Sequence, residues 1–73
     1  MTAVTLEVET KEDYILLQVL EKFSKTYTIK FEIRNIKNGL YEVDVNTPDL
    51  GELMRRLKIM ADTKVKIKGG GNK

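Results

Sequence analysis

"YTIKFEIRNIKNGLYEVDVN" (residues 27–46) decides how this chain folds. Tyr27, Ile29, Phe31 and Ile33 alternate with polar or charged neighbours, and Tyr41, Val43 and Val45 do the same after the "KNG" link. A period of two marks strands with one buried face, and the Asn38-Gly39 pair between them marks a hairpin. A two-residue turn there sets Arg34 opposite Val43 and mixes the faces. A three-residue loop with Gly39 in the left-handed region instead pairs Ile33 with Val43 and Phe31 with Val45, with Arg34 opposite Glu42. The second register is the one the pattern predicts. Its cost is Glu32 opposite Asp44, with Lys30 on the diagonal.

Each side of the hairpin carries a helix pattern and then a strand pattern. On the N-terminal side, Thr10 reads as an N-cap with Asp13 at the capping-box place. Leu16, Val19, Leu20 and Phe23 then form one apolar stripe that runs to about Lys25. Ile15 and Leu17 lie at its margins, with Tyr14, Gln18, Glu21, Lys22 and Lys25 opposite. "AVTLEVE" (3–9) before it alternates and reads as a strand. On the C-terminal side, "TPDLGELMRRLKIMAD" (47–62) opens with Thr47 as N-cap and Pro48 at the first helical position. Asp49 with Glu52 is a rival start, because Gly51 weakens the first turn. Leu50, Leu53, Met54, Leu57, Met60 and Ala61 make the stripe; Glu52, Arg55, Arg56 and Ile59 face outward. "KVKIK" (64–68) turns Val65 and Ile67 inward and its lysines outward. The reading gives one domain over 1–68 and a flexible glycine-rich tail over 69–73. The two halves share a pattern, but no residue-level repeat is evident between them.

The predicted architecture is α+β, a two-layer ferredoxin-like βαββαβ sandwich: a four-stranded antiparallel sheet with two helices on one face. The first and third strands are central, and the last strand lies antiparallel to the first.

Composition narrows the function. The 73 residues include no cysteine and no histidine, which removes the thiol nucleophile, the usual general base and the commonest metal ligand. The chain is therefore read as a non-enzyme without cofactor or small-molecule substrate. No apolar run is long enough for a bilayer, so no membrane role is expected, and the absence of cysteine fits the cytoplasm. Charge is lopsided: residues 55–73 hold seven Lys or Arg against one Asp, while residues 1–54 hold six against ten Asp or Glu.

In the predicted sandwich, the helix-free face presents Thr5, Glu7, Lys30, Glu32, Arg34, Leu40, Glu42, Asp44, Lys64, Lys66 and Lys68. The lysine row then lies beside the acidic first strand and is neutralised by it. Glu7, Glu32, Glu42 and Asp44 are oxygen ligands of the kind Mg²⁺ takes, but Lys30, Arg34 and Lys66 interleave with them and compete, so no metal is expected. RNA-recognition domains of this topology stack bases on aromatic residues of the open face, whereas here Tyr41 alternates inward. Protein partnership or self-association ranks first, through Tyr14, Leu17 and Ile59 on the helix faces or through the edge strand within "TYTIKFEIRN". The alternative is sequence-indifferent, salt-dependent nucleic-acid binding by Arg55, Arg56, Lys58, Lys64, Lys66, Lys68 and Lys73.

Overall fold

The computed structural model describes residues 2–60 and 62–70, so Ala61, Gly71 and Lys73 lie outside the described residues. Six elements follow in chain order: β1 (Thr2–Glu9), α1 (Asp13–Tyr27), β2 (Phe31–Lys37), β3 (Leu40–Thr47), α2 (Leu50–Lys58) and β4 (Lys64–Gly70). The strands form one four-stranded sheet in the order β2-β3-β1-β4, and every neighbouring pair is antiparallel. The last strand takes in Gly69 and Gly70, which the sequence reading gives to the tail.

Alternation builds the core. Val4, Leu6 and Val8 of β1 pair with Val45, Val43 and Tyr41 of β3, so their side chains share one face of the sheet. Leu16, Leu20 and Phe23 of α1 and Leu53 and Leu57 of α2 complete the same buried cluster. Both helices therefore cover the apolar face and leave the other open.

The hairpin keeps the predicted register by a different route. Phe31 pairs with Val45, Ile33 with Val43 and Arg34 with Glu42. The connection is the two-residue turn Asn38-Gly39, with Gly39 at φ 81°, and a shift between Asn35 and Lys37 leaves Ile36 without an opposite partner. One bulged residue does the work predicted for a longer loop. A Cβ on Gly39 would meet only the Thr10 carbonyl, at 3.5 Å, so space is adequate and backbone strain alone opposes substitution. Gly39→Ala is expected to cost about 1–2 kcal/mol in urea unfolding, without loss of fold.

The helix ends also correct the reading. Tyr27 is the last residue of α1 and not the first of a strand; Thr28 follows at φ 54°, and its N–H donates to the Ser24 carbonyl. The Tyr27 ring packs on Phe23, one turn back, with centroids 4.5 Å apart. That i,i+4 aromatic contact prolongs the helix into a segment whose alternation reads as strand. At the helix starts, the N-caps are Glu12 and Asp49 and not the predicted threonines. For α2 this is the rival start: the Asp49 carboxylate accepts from the Glu52 N–H at 3.0 Å. α2 ends at Lys58, four residues before the predicted end, with Ile59 as its cap.

The threonines do a related task two residues upstream. The Glu12 N–H donates to the Thr10 hydroxyl at 3.0 Å and the Asp49 N–H to the Thr47 hydroxyl at 3.1 Å. Both threonines are buried, the only polar residues that are so among those described. A shift of 37 positions carries Val8, Thr10, Glu12, Leu16 and Leu20 onto Val45, Thr47, Asp49, Leu53 and Leu57. Each pair has the same structural place: strand end, hydroxyl turn, N-cap and two buried helix positions. These five positions thus repeat between the halves at residue level, while other core positions, such as Val4 against Tyr41 and Phe23 against Met60, keep only their apolar character.

Candidate functional site

The open face of the sheet collects most of the charge. Glu7 of β1 lies between Glu42 of β3 and Lys66 of β4, and the Lys66 ammonium meets the Glu7 carboxylate at 3.1 Å. A register shift between Thr5 and Leu6 leaves Lys68 as the extra residue of β4, and this bulge lets its ammonium reach across β1 to Glu42. From the other edge, Arg34 donates to Glu42 at 3.1 Å and to Asp44 at 2.8 Å, and the Thr5 hydroxyl donates to Asp44 at 2.7 Å. One connected network, Thr5–Asp44–Arg34–Glu42–Lys68, spans all four strands.

This network explains how like charges tolerate direct opposition at Glu7 and Glu42 and at Glu32 and Asp44. Arg34, not the predicted Lys30, relieves the second pair. Each exposed ion pair contributes well under about 1 kcal/mol; together they fix strand register and offset the lysine row.

The electrostatics follow from the contacts. Lys68 and then Arg34 hold the Glu42 carboxyl below its ordinary range, and Arg34 with Thr5 does the same for Asp44. On α2, Arg55 and Arg56 hold Glu52 at about 2, against an ordinary 4.5. Carboxyls depressed in the folded state add stability that is fully present above their unfolded values and is lost as pH falls through the folded ones. The melting temperature is therefore expected to stay level from neutral pH down to about 5 and to drop between about pH 4.5 and 2. High salt should flatten the drop. A melting temperature unchanged to pH 2 would show that these pairs contribute nothing.

The predicted nucleic-acid residues divide. Arg55 donates to both oxygens of Glu52, at 2.9 and 2.8 Å, and Arg56 donates at 2.9 Å. Arg56 also lies over the Phe23 ring, 5.4 Å from its centroid. Lys66 and Lys68 are paired as above, Lys64 stands opposite Glu9, Lys58 lies exposed in the last turn of α2, and Lys73 is outside the described residues. These residues do not form one patch on one element: the arginines sit on a helix and the lysine row on the open sheet face.

The predicted partner residues are exposed, Tyr14 by 69%, Leu17 by 40% and Ile59 by 70%. Tyr14 and Leu17 share α1, one turn apart, while Ile59 caps α2. Sequence reading misses Ile36, which the hairpin bulge leaves 48% exposed at the β2 edge; an Asn-Gly turn flanked by apolar residues of mismatched parity is the signal that reveals it.

A cleft of about 370 Å³ opens at the end of the sheet where the β1–α1, β2–β3 and α2–β4 connections meet. Thr10, Lys11, Asp13, Gly39, Tyr41 and Lys64 line it. Burial, helped by neighbouring Asp13, raises the Tyr41 phenol above its ordinary value. Charges of both signs meet there, and no group of three or more ligating side chains that could hold a metal ion occurs among the described residues. No helix among them is long and apolar enough to cross a membrane. Compared with protein-family models, curated proteins and solved structures, the chain matches none.

Proposed function

We propose that this chain is a small non-enzymatic interaction module that engages a protein partner along the edge strand β2. The carrying observation is the contrast between the two sheet edges. β4 presents Lys64, Lys66 and Lys68 with a bulge and two glycines, devices that discourage strand addition; its Ile67, read from the sequence as inward, stands opposite Leu6 but is 49% exposed. β2 presents five regularly paired residues, Phe31 to Asn35, before its bulge, with Phe31 and Ile33 only half-buried. Unpaired N–H and C=O groups beside half-covered apolar side chains are what an added strand satisfies. Tyr14, Leu17 and Ile59 are secondary contacts on the helical layer.

We read the architecture as ferredoxin-like; the strand order β2-β3-β1-β4 supports this, together with the right hand that strand–helix–strand crossovers take. The residue-level repeat is consistent with the approximate two-fold symmetry of that arrangement.

Affinity capture from the native host, with wild type and Ile33→Lys compared, tests the reading. An inward-pointing lysine at an edge blocks strand addition while its stem covers the apolar margin. Partners retained by wild type and lost by the folded variant are expected; identical partner sets would reject the β2 edge as the contact.

A further inference from the structure

Resting on the edge-strand reading, we infer that the strand added to β2 is the β2 of a second copy, antiparallel about a two-fold axis at Ile33. Antiparallel pairing of identical strands must centre on a residue, because only residues whose backbone groups point the same way can face each other. Centring on Ile33 sets Glu32 opposite the partner's Arg34 and Arg34 opposite the partner's Glu32, both on the open face. On the covered face it sets Ile33 against its own copy and Phe31 against the partner's Asn35. Glu32 is available for this: its side chain is 81% exposed and lies 3.9 Å from its own Arg34, which is engaged more closely by Glu42 and Asp44.

The neighbouring registers are worse. Centring on Arg34 opposes two guanidiniums, and centring on Glu32 opposes two carboxylates. Centring on Phe31 keeps charge complementarity between Lys30 and Glu32 but draws on Ile29 and Lys30, which precede the strand. The β4 edge cannot substitute, since self-pairing about Lys66 sets ammonium against ammonium. Pairing β2 to β4 is head-to-tail and gives rings or open filaments, whereas the β2–β2 contact closes after two chains. The product is one eight-stranded antiparallel sheet with all four helices on one face.

Sedimentation velocity over a range of concentrations tests the proposal on wild type, Glu32→Lys and Lys64→Ala, with folding checked by circular dichroism. A dimer is expected whose dissociation constant rises at least about tenfold in Glu32→Lys, where two attractions become two repulsions; Lys64→Ala should leave it unchanged. Isotope-filtered NMR on mixed labelled and unlabelled chains should place Phe31 against the partner's Asn35. A strict monomer at about 1 mM, a dimer indifferent to Glu32→Lys, or contacts between Ile29 and Ile33 would overturn the inference. The edge-strand reading itself survives a strict monomer if Ile33→Lys still loses host partners, and falls only if it loses none.

Discussion

Phe23→Ala will remove about 3–5 kcal/mol of stability, a large share of what a chain of this length has. The ring is fully buried, packs on Tyr27 one turn later and lies under the Arg56 guanidinium of the other helix. It therefore belongs to the core, closes the last turns of α1 and contacts α2. Truncating a buried phenylalanine costs about 3–5 kcal/mol, and a chain of this length has roughly 4–11 kcal/mol in total. Urea unfolding followed by circular dichroism should show the midpoint moved far toward zero denaturant with the slope unchanged. Phe23→Leu, which keeps most of the volume, should cost under about 1.5 kcal/mol. A loss below about 1 kcal/mol in the alanine variant would mean that the helical layer does not depend on this side chain.

The second large effect is expected at two hydroxyls. Thr10→Val and Thr47→Val preserve shape and remove the acceptors of the Glu12 and Asp49 N–H groups. Leaving such a group unsatisfied costs about 1–3 kcal/mol. Thr10 should lie at the upper end, because the Thr63 hydroxyl also donates to it at 2.9 Å. Its own N–H donates to the Gly39 carbonyl at 2.9 Å, so this residue joins all three connections at that end of the sheet. β1 and β3 are antiparallel and Thr2 faces Thr47, so Thr10 and Thr47 stand at opposite ends of the sheet. Their costs should add in the double variant. Equal and small losses would refute the structural role assigned to the repeated threonine.

What the amino-acid pattern reveals follows from the range over which each signal acts. Alternation in β1, β3 and the regular part of β2 is local and faces one core, so element order and hairpin register are legible. Tyr27 is not, because its identity as helix or strand depends on contact with Phe23 rather than on parity. The N-caps shift by two residues because each threonine accepts from the N–H two residues on and so builds a turn ahead of the helix, and only the backbone path tells such a turn from a cap. Each bulge inserts one residue to reconcile a turn or a neighbour with the buried face: the one at Ile36 is signalled only by the mismatched parity across the Asn-Gly turn, and the one at Lys68 by nothing local. That at Lys68 matters most for the candidate site, since it carries an edge lysine to Glu42 on the far side of β1. The repeat escapes notice because its members are spaced among exposed residues that differ freely.

Lys66 and Lys68 of β4 pair with Glu7 of β1 and Glu42 of β3, and the choice of a protein over a polyanion as partner rests on that neutralisation. Titration of the protein into mixed-sequence single- and double-stranded RNA and DNA at low salt, read by fluorescence anisotropy, tests it most directly. No saturable binding is expected in the micromolar range. Micromolar or tighter binding that falls steeply with added salt and disappears in Lys66→Ala with Lys68→Ala would contradict it, by showing that those ammoniums neutralise phosphates and not the carboxylates beside them.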